Sequence, residues 1–274
     1  MTTPRVFIVR HGETEWSLSG QHTGSTDIPL TENGEKRIRA TGKALVGHNR
    51  LIVPAQLAHI YVSPRKRAQH TLELLNLQLD EPYPWQLHSS NTKKEDQQQQ
   101  TASGAEGNGG DGDGDDGGSR SCSARVEVTE DIREWDYGEY EGITSAEIRD
   151  RREKAGLGRD WDIWADGCPG GESPEDVTAR VDRLIADIRS RFHAPCIGKP
   201  RSGATGSETQ QGDVLIVAHG HILRAFAMRW VKQGLRGGPL FLMEAGGVGT
   251  LSYEHKNIDE PAILLGGAFI VHDQ

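Results

Sequence analysis

The stretch Val6 to Trp16, VFIVRHGETEW, runs four apolar residues, Val6 to Val9, straight into Arg10, His11 and Gly12. A continuous apolar run of that length reads as a strand covered on both faces. HIYVS from His59, the weaker RVEV from Arg125 and VLIVA from Val214 repeat the signal. Helical patterns alternate with these strands. Thr31 caps a helix running to about Gly47, and Ala68, Leu72, Leu75 and Leu79 recur at helical spacing. Thr144-Ser-Ala-Glu147 fits a capping box. Ser173-Pro174 reads as an N-cap followed by proline at the first helical position, with Val177, Val181, Leu184 and Ile188 as the buried stripe. A helix follows His221, and GTLSYE and AILLGGAFI are late strands. Alternation of this kind predicts an α/β fold with a mostly parallel central sheet.

In open α/β sheets, ligands bind beyond the carboxyl ends of the strands. After the first strand comes Arg10-His11-Gly12, and after the second Ser63-Pro64-Arg65. After the third comes DIREWDYGEYEG with Glu134, and after the fourth His219-Gly220-His221. Each residue alone is weak evidence. A lone histidine is more often structural than catalytic, and a lone arginine is more often a solvated charge. Together at one edge they make chemical sense for phosphoryl transfer. A neutral imidazole attacks phosphorus and forms a covalent intermediate. Arginine forks match phosphate oxygens and keep their charge. A carboxylic acid protonates the departing alkoxide, then takes a proton from water.

The chain has 274 residues, 35% hydrophobic and 26% charged, which predicts a globular protein with a substantial core. One domain is expected over 1–274, because no second core is visible. Two stretches break the pattern. About 88–124, containing EDQQQQTASGAEGNGGDGDGDDGGSRS, has almost no apolar residues and reads as a disordered acidic insertion. DGDGDD is not a calcium loop: counted from Asp111, the sixth and twelfth positions hold Asp116 and Cys122 where glycine and glutamate are needed. About 196–212 reads as a shorter flexible loop.

The formal net charge is −9, of which 91–118 carries −5, from two lysines against seven acidic residues. The remaining −4 argues against a nucleic-acid-binding surface. No apolar run approaches the roughly 20 residues of a membrane span, and the N-terminus has no signal-peptide core. The expected location is the cytoplasm, with the nucleus as the alternative. Cys122, Cys168 and Cys196 are too few and too scattered for a disulfide framework, and no CxxC pair suggests structural zinc.

VRHGETEW, TGSTDIPLTENGE, SPRKRAQHT, REWDYGEYEG, GGES and VAHGHILR, in that order, resemble the histidine phosphatase (phosphoglycerate-mutase-like) superfamily. The resemblance implies a three-layer αβα fold and His11 as the phosphohistidine nucleophile. It implies Arg10, Arg65 and His219 as the phosphate pocket and Glu134 as proton donor, then acceptor. Gly12 would let the backbone turn tightly beside the phosphate. A narrower similarity, in WDIWADGCPGGES, AHGHILRAFAMRW and EAGGVGTLSYEHKNIDEPAI, is to the fungal sedoheptulose-1,7-bisphosphatase branch. This implies hydrolysis of a ketose bisphosphate feeding ribose synthesis, with no cofactor and no metal. Oligomeric state is not legible.

Further positions follow from that branch. Thr23 and Gly24 would offer backbone N–H groups to a phosphate or sugar. Tyr137 would either hydrogen-bond the sugar or pack as a core aromatic. Arg180 would either clamp the second phosphate or lay a snorkelling stem along its helix. His221 reads as a helix start rather than a catalytic group, and Trp135, Trp161 and Trp164 as packing. His22 stands where the branch carries Tyr or Phe. A mutase is the rival within the family; Ser17, where cofactor-dependent mutases carry Asn, speaks against it. A catalytically silent module would have lost one of the five central residues. A zinc hydrolase using His11, His219 and His221 would set a cation among arginines.

Overall fold

The computed structural model describes residues 3–89, 121–199 and 212–265. Six strands form one sheet: β1 Val6–Arg10, β2 Leu57–Val62, β3 Arg125–Val128, β4 Asp213–Ala218, β5 Val248–Tyr253 and β6 Pro261–Ile263. Their order is β3-β2-β4-β1-β5-β6. Among the described residues the α-helices are α1 Glu15–Ser19, α2 Glu32–Leu45, α3 Lys66–Leu74, α4 Pro84–Ser89, α5 Ser145–Lys154, α6 Ile163–Asp166, α7 Pro174–Ile188 and α8 Gly220–Trp230. The first four are parallel, and β5 and β6 add an antiparallel edge beside β1.

Successive side chains of a strand point to opposite faces, and both faces are covered here. Phe7 and Val9 of β1 join Ile60, Val62, Leu215 and Val217 under α2 (Glu32–Leu45) and α3 (Lys66–Leu74). Val6 and Ile8 join Tyr61, Val214 and Ile216 under α7 (Pro174–Ile188) and α8 (Gly220–Trp230). This is the αβα sandwich, and it explains why β1 and β4 read as unbroken apolar runs.

The caps fall where the sequence puts them. Thr31, Thr144 and Ser173 accept backbone N–H groups of α2, α5 (Ser145–Lys154) and α7, and the last two close full capping boxes. Other boundaries differ. Helix α3 ends at Leu74, because Asn76 and Gln78 both take φ of 54°. Leu79 is therefore not on the helix; it bridges Cys122 in parallel pairing. α8 starts at Gly220 rather than after His221. The last strand stops at Ile263, and the remainder of AILLGGAFI from 266 lies outside the described residues. Most of the expected acidic insertion, 90–120, lies outside them too, as does 200–211 of the second loop. At their described ends, Cys122, Ala124 and Cys196 are already buried, so both expected loops are drawn too wide. All three cysteines are buried and none is in a disulfide.

Candidate active site

The parallel strands β1 and β4 end side by side. The His11 N–H donates to Ala218 O at 2.9 Å, which ties the residue after β1 to the last residue of β4. His11 is 5% exposed. Its Nδ1 lies 2.7 Å from Gly12 O. A carbonyl only accepts, so Nδ1 carries the hydrogen and Nε2 presents its lone pair. Burial, then the charges of Arg67 and Arg10, push the imidazole pKa well below its usual value. The ring is neutral near pH 7. Gly12 is required by packing rather than by a turn: a Cβ there would stand 2.9 Å from Ile38 Cγ1 and 3.2 Å from Gly34 O of α2.

His219 follows β4 and is fully buried. Its ring stands edge-on to His11, centroids 5.1 Å apart. Nδ1 accepts from Arg67 Nε at 3.2 Å, so Nε2 carries the hydrogen and donates to Ser63 Oγ at 2.7 Å. Both ring nitrogens are engaged within the protein. Burial and the neighbouring Arg67 keep this imidazole neutral as well.

The sequence singled out Arg65, yet Arg67 occupies the centre. Arg67 is 1% exposed and donates also to Thr26 O at 2.8 Å and Thr23 O at 2.9 Å. Arg65 turns its Nε to Gly24 O at 3.0 Å. A signal for Arg67 existed. It sits beside Ala68 on the inner stripe of α3, one turn before Thr71, whose Oγ1 accepts the Gly12 N–H at 3.1 Å.

Glu134 comes from the irregular segment after β3 and is 5% exposed. Its Oε1 accepts the Trp135 and Ile222 N–H groups, both at 2.9 Å, and Oε2 accepts His221 N–H at 3.1 Å. Two of the three donors are at the start of α8, whose first N–H groups have no partner within the helix. Arg10 donates from Nη1 to Met243 O at 2.7 Å, while its buried Nε has no hydrogen-bond partner among the described residues.

His11, Glu134 and Arg10 open into one cleft of about 260 Å³, with Thr23, Tyr137 and Arg224 also on its walls. Tyr137 OH and His221 Nδ1 share a hydrogen bond at 2.7 Å. Burial raises the phenol pKa and lowers that of the imidazole, so the pair is uncharged. His22 lies against Tyr137, centroids 4.7 Å apart, and burial drops its pKa to about 4. Arg224, which the sequence reading passed over although it closes VAHGHILR, places its guanidinium 5.2 Å over the Trp164 ring. Trp135, Trp161 and Trp164 are buried.

Two expected contacts are corrected. The Gly24 N–H is not free for substrate; it donates to Glu141 Oε2 at 2.8 Å. Arg180 neither reaches the cleft nor snorkels: its guanidinium is buried on Glu172 and on the backbone of 131–134. Among the described residues, His11, His219 and His221 do not converge as metal ligands. The group that does is Glu254, His255 and Glu260, all exposed.

Strand ends that gather an uncharged histidine, arginines and a carboxylate define a phosphoryl-transfer class of protein. Comparison with known proteins makes the class specific. Residues 6–90 and 118–197 match the histidine phosphatase superfamily (branch 1). The chain is 34% identical to sedoheptulose 1,7-bisphosphatase of Saccharomyces cerevisiae over 98% of its own length and 94% of the relative's. It is 30% identical to an acid phosphatase of Mycobacterium tuberculosis, covering 92% and 87%. The solved structure of an open reading frame product of Mycobacterium tuberculosis superposes with a TM-score of 0.62 at 27% identity, over 96% of both chains. The chain belongs to the histidine phosphatase superfamily. It is a phosphatase, a phosphoric monoester hydrolase. No helix among the described residues is long and apolar enough to cross a membrane.

Proposed function

We propose that the protein removes one phosphate from a sugar bisphosphate, with sedoheptulose 1,7-bisphosphate the leading substrate, through phospho-His11. The observation that carries the mechanism is the His11 Nδ1 bond to Gly12 O, which aims Nε2 as the nucleophile. The unpartnered Arg10 Nε is a ready donor for a phosphate oxygen. Arg67, Arg65 and His219 supply charge and shape behind the transferred group. A neutral His11 Nε2 attacks phosphorus as the P–O bond to the sugar breaks. The proton of the Glu134 carboxyl goes to the departing oxygen. Water then attacks phosphorus and gives a proton to the Glu134 carboxylate. The P–N bond breaks, inorganic phosphate leaves and His11 is restored.

Substrate choice rests on the rest of the cleft and on the yeast relative. Arg224 is a second cation on the cleft wall, suited to the phosphate that does not react. The uncharged Tyr137–His221 pair, with Thr23 and His22 beside it, suits hydroxyl groups between the two ends. The product would feed ribose synthesis in the cytoplasm. The arginines supply the positive charge, so a chelator should not reduce the rate.

The test is phosphate release, with EDTA present, from sedoheptulose 1,7-bisphosphate, fructose bisphosphates, octulose bisphosphate and phosphoglycerates, each beside His11→Ala. Preference for ketose bisphosphates, with a loss of at least about 10⁴-fold in the variant, is expected. Turnover of phosphoglycerates alone would move the protein to the mutases.

A further inference from the structure

Glu134 sits on a segment with little regular structure of its own. Between β3 and α5 the chain makes only two short 3₁₀ turns, Glu130–Ile132 and Gly138–Tyr140. Something else has to fix the backbone that aims the carboxyl group. Arg180, in the second turn of α7, is 4% exposed and uses all five of its N–H donors. Nη1 donates to the carbonyls of Asp131 at 3.0 Å and Arg133 at 2.8 Å. Nη2 reaches Glu134 O at 3.5 Å. Nε and Nη2 form a bidentate pair with Glu172 at 2.8 and 2.9 Å.

Glu172, 7% exposed, grips the same segment from the GGES turn. Its Oε2 accepts Asp136 N–H at 2.9 Å and its Oε1 accepts Arg133 Nη2 at 2.8 Å. Its carbonyl accepts Trp135 Nε1 at 2.9 Å. Residues 131, 134, 135 and 136 are thus each bonded to one of the two partners, and Arg133 to both. A buried ion pair is a poor way to gain stability, since desolvation consumes the attraction. A planar fork is a good way to hold several carbonyls at fixed spacing.

We infer that Arg180 and Glu172 are positioning residues for proton transfer: they hold the 131–136 backbone so that the Glu134 carboxyl group meets the departing oxygen. The inference rests on the proposed role of Glu134 as proton donor and acceptor. A pair that merely stabilised the fold would weaken every reaction alike. A pair that acts through Glu134 matters only where a proton is needed. 2,4-Dinitrophenolate leaves phosphorus without protonation, whereas a sugar alkoxide does not.

The experiment compares Arg180→Lys, Glu172→Gln and Glu134→Gln on the bisphosphate that the panel selects and on 2,4-dinitrophenyl phosphate. Glu134→Gln should lower steady-state turnover of the sugar ester about 10²–10⁴-fold. Arg180→Lys and Glu172→Gln should each lower it by about 10²-fold, the cost of misplacing a catalytic group by roughly 1 Å. The pre-steady-state burst of dinitrophenolate should stay within about threefold of the parent in all three, because that step needs no acid. Its steady state should slow, because hydrolysis of phospho-His11 needs the base. Arg183→Ala removes only an exposed pair to Asp131, and should change neither rate.

A burst that falls in proportion to sugar-ester turnover would overturn the inference, as would an unchanged sugar-ester rate in Arg180→Lys and Glu172→Gln. If only Arg180→Lys fails to fold, Glu172→Gln decides. If neither folds, the pair serves folding and the inference falls. Leaving-group selectivity in Glu134→Gln but not in the other two sinks the positioning role alone. Its absence from Glu134→Gln sinks the Glu134 reading as well.

Discussion

The two walls of the cleft are built differently. On the strand-end wall His11 and Glu134 are 5% exposed, behind it His219 is 0% and Arg67 1% exposed, and each is bonded to other parts of the chain. On the other wall Leu242, Met243 and Glu244 belong to no strand or helix, and Leu242 is 89% exposed. Arg10 Nη1 ties them by donating to Met243 O. Proton and phosphoryl transfer depend on placement to fractions of an ångström. Recognition tolerates loops that a rigid scaffold carries. The difference therefore separates chemistry from selection.

The sharpest way to break that division is through two arginines two residues apart. Arg67→Ala strips His219 Nδ1 and the Thr23 and Thr26 carbonyls of a buried donor. It should cost about 3–5 kcal/mol of stability and lower kcat/KM about 10³-fold. Arg65→Ala loses a partly exposed bond to Gly24 O and should lower kcat/KM by only about tenfold. Urea unfolding and steady-state kinetics read both. Equal losses would mean that the buried wall holds no special share of the chemistry.

The neutrality of the buried histidines gives a second, smaller effect. Burial holds His11 and His219 well below their usual pKa, and His193 at about 3. In the unfolded chain each binds a proton as pH falls through about 6.5. The folded protein does not, so acid favours unfolding. Each such histidine should remove about 1.4 kcal/mol of stability per pH unit below about 6.5, until its folded pKa is reached. The urea midpoint should be lower at pH 5 than at pH 7. An unchanged midpoint would show that these rings take up protons in the native fold, and that the strand-end wall is less dry than it looks.

What the sequence showed follows the same division. β1, β4 and their Arg10-His11 and His219 endings were legible because strands covered on both faces leave continuous apolar runs. The caps at Thr144 and Ser173 were legible because capping is local chemistry. Arg67 was missed because a buried cation inside a helix looks, in one dimension, like its solvated neighbours Arg65 and Lys66. Arg180 was misplaced for a related reason. Its helical position was right, but its partners lie 47–49 residues away at 131 and 133, in a loop whose path no periodicity records. Gly24 was given a free N–H because nothing in the sequence pairs it with Glu141.

The smallest expected effect tests the loop wall. Leu242 lines the cleft with nearly all of its side chain in solvent. Leu242→Ala removes little buried area, so stability should change by no more than about 0.5 kcal/mol. If this wall selects substrate, KM for the preferred bisphosphate should rise while kcat holds, because a contact made equally in ground and transition states has been lost. The ratio of kcat/KM between bisphosphate and dinitrophenyl phosphate should then move toward the small ester, which does not reach that wall. A fall in kcat with KM unchanged would mean that Leu242 excludes water during transfer. The loop would then belong to the chemistry, and the division between the walls would fail at the point where Met243 O joins them.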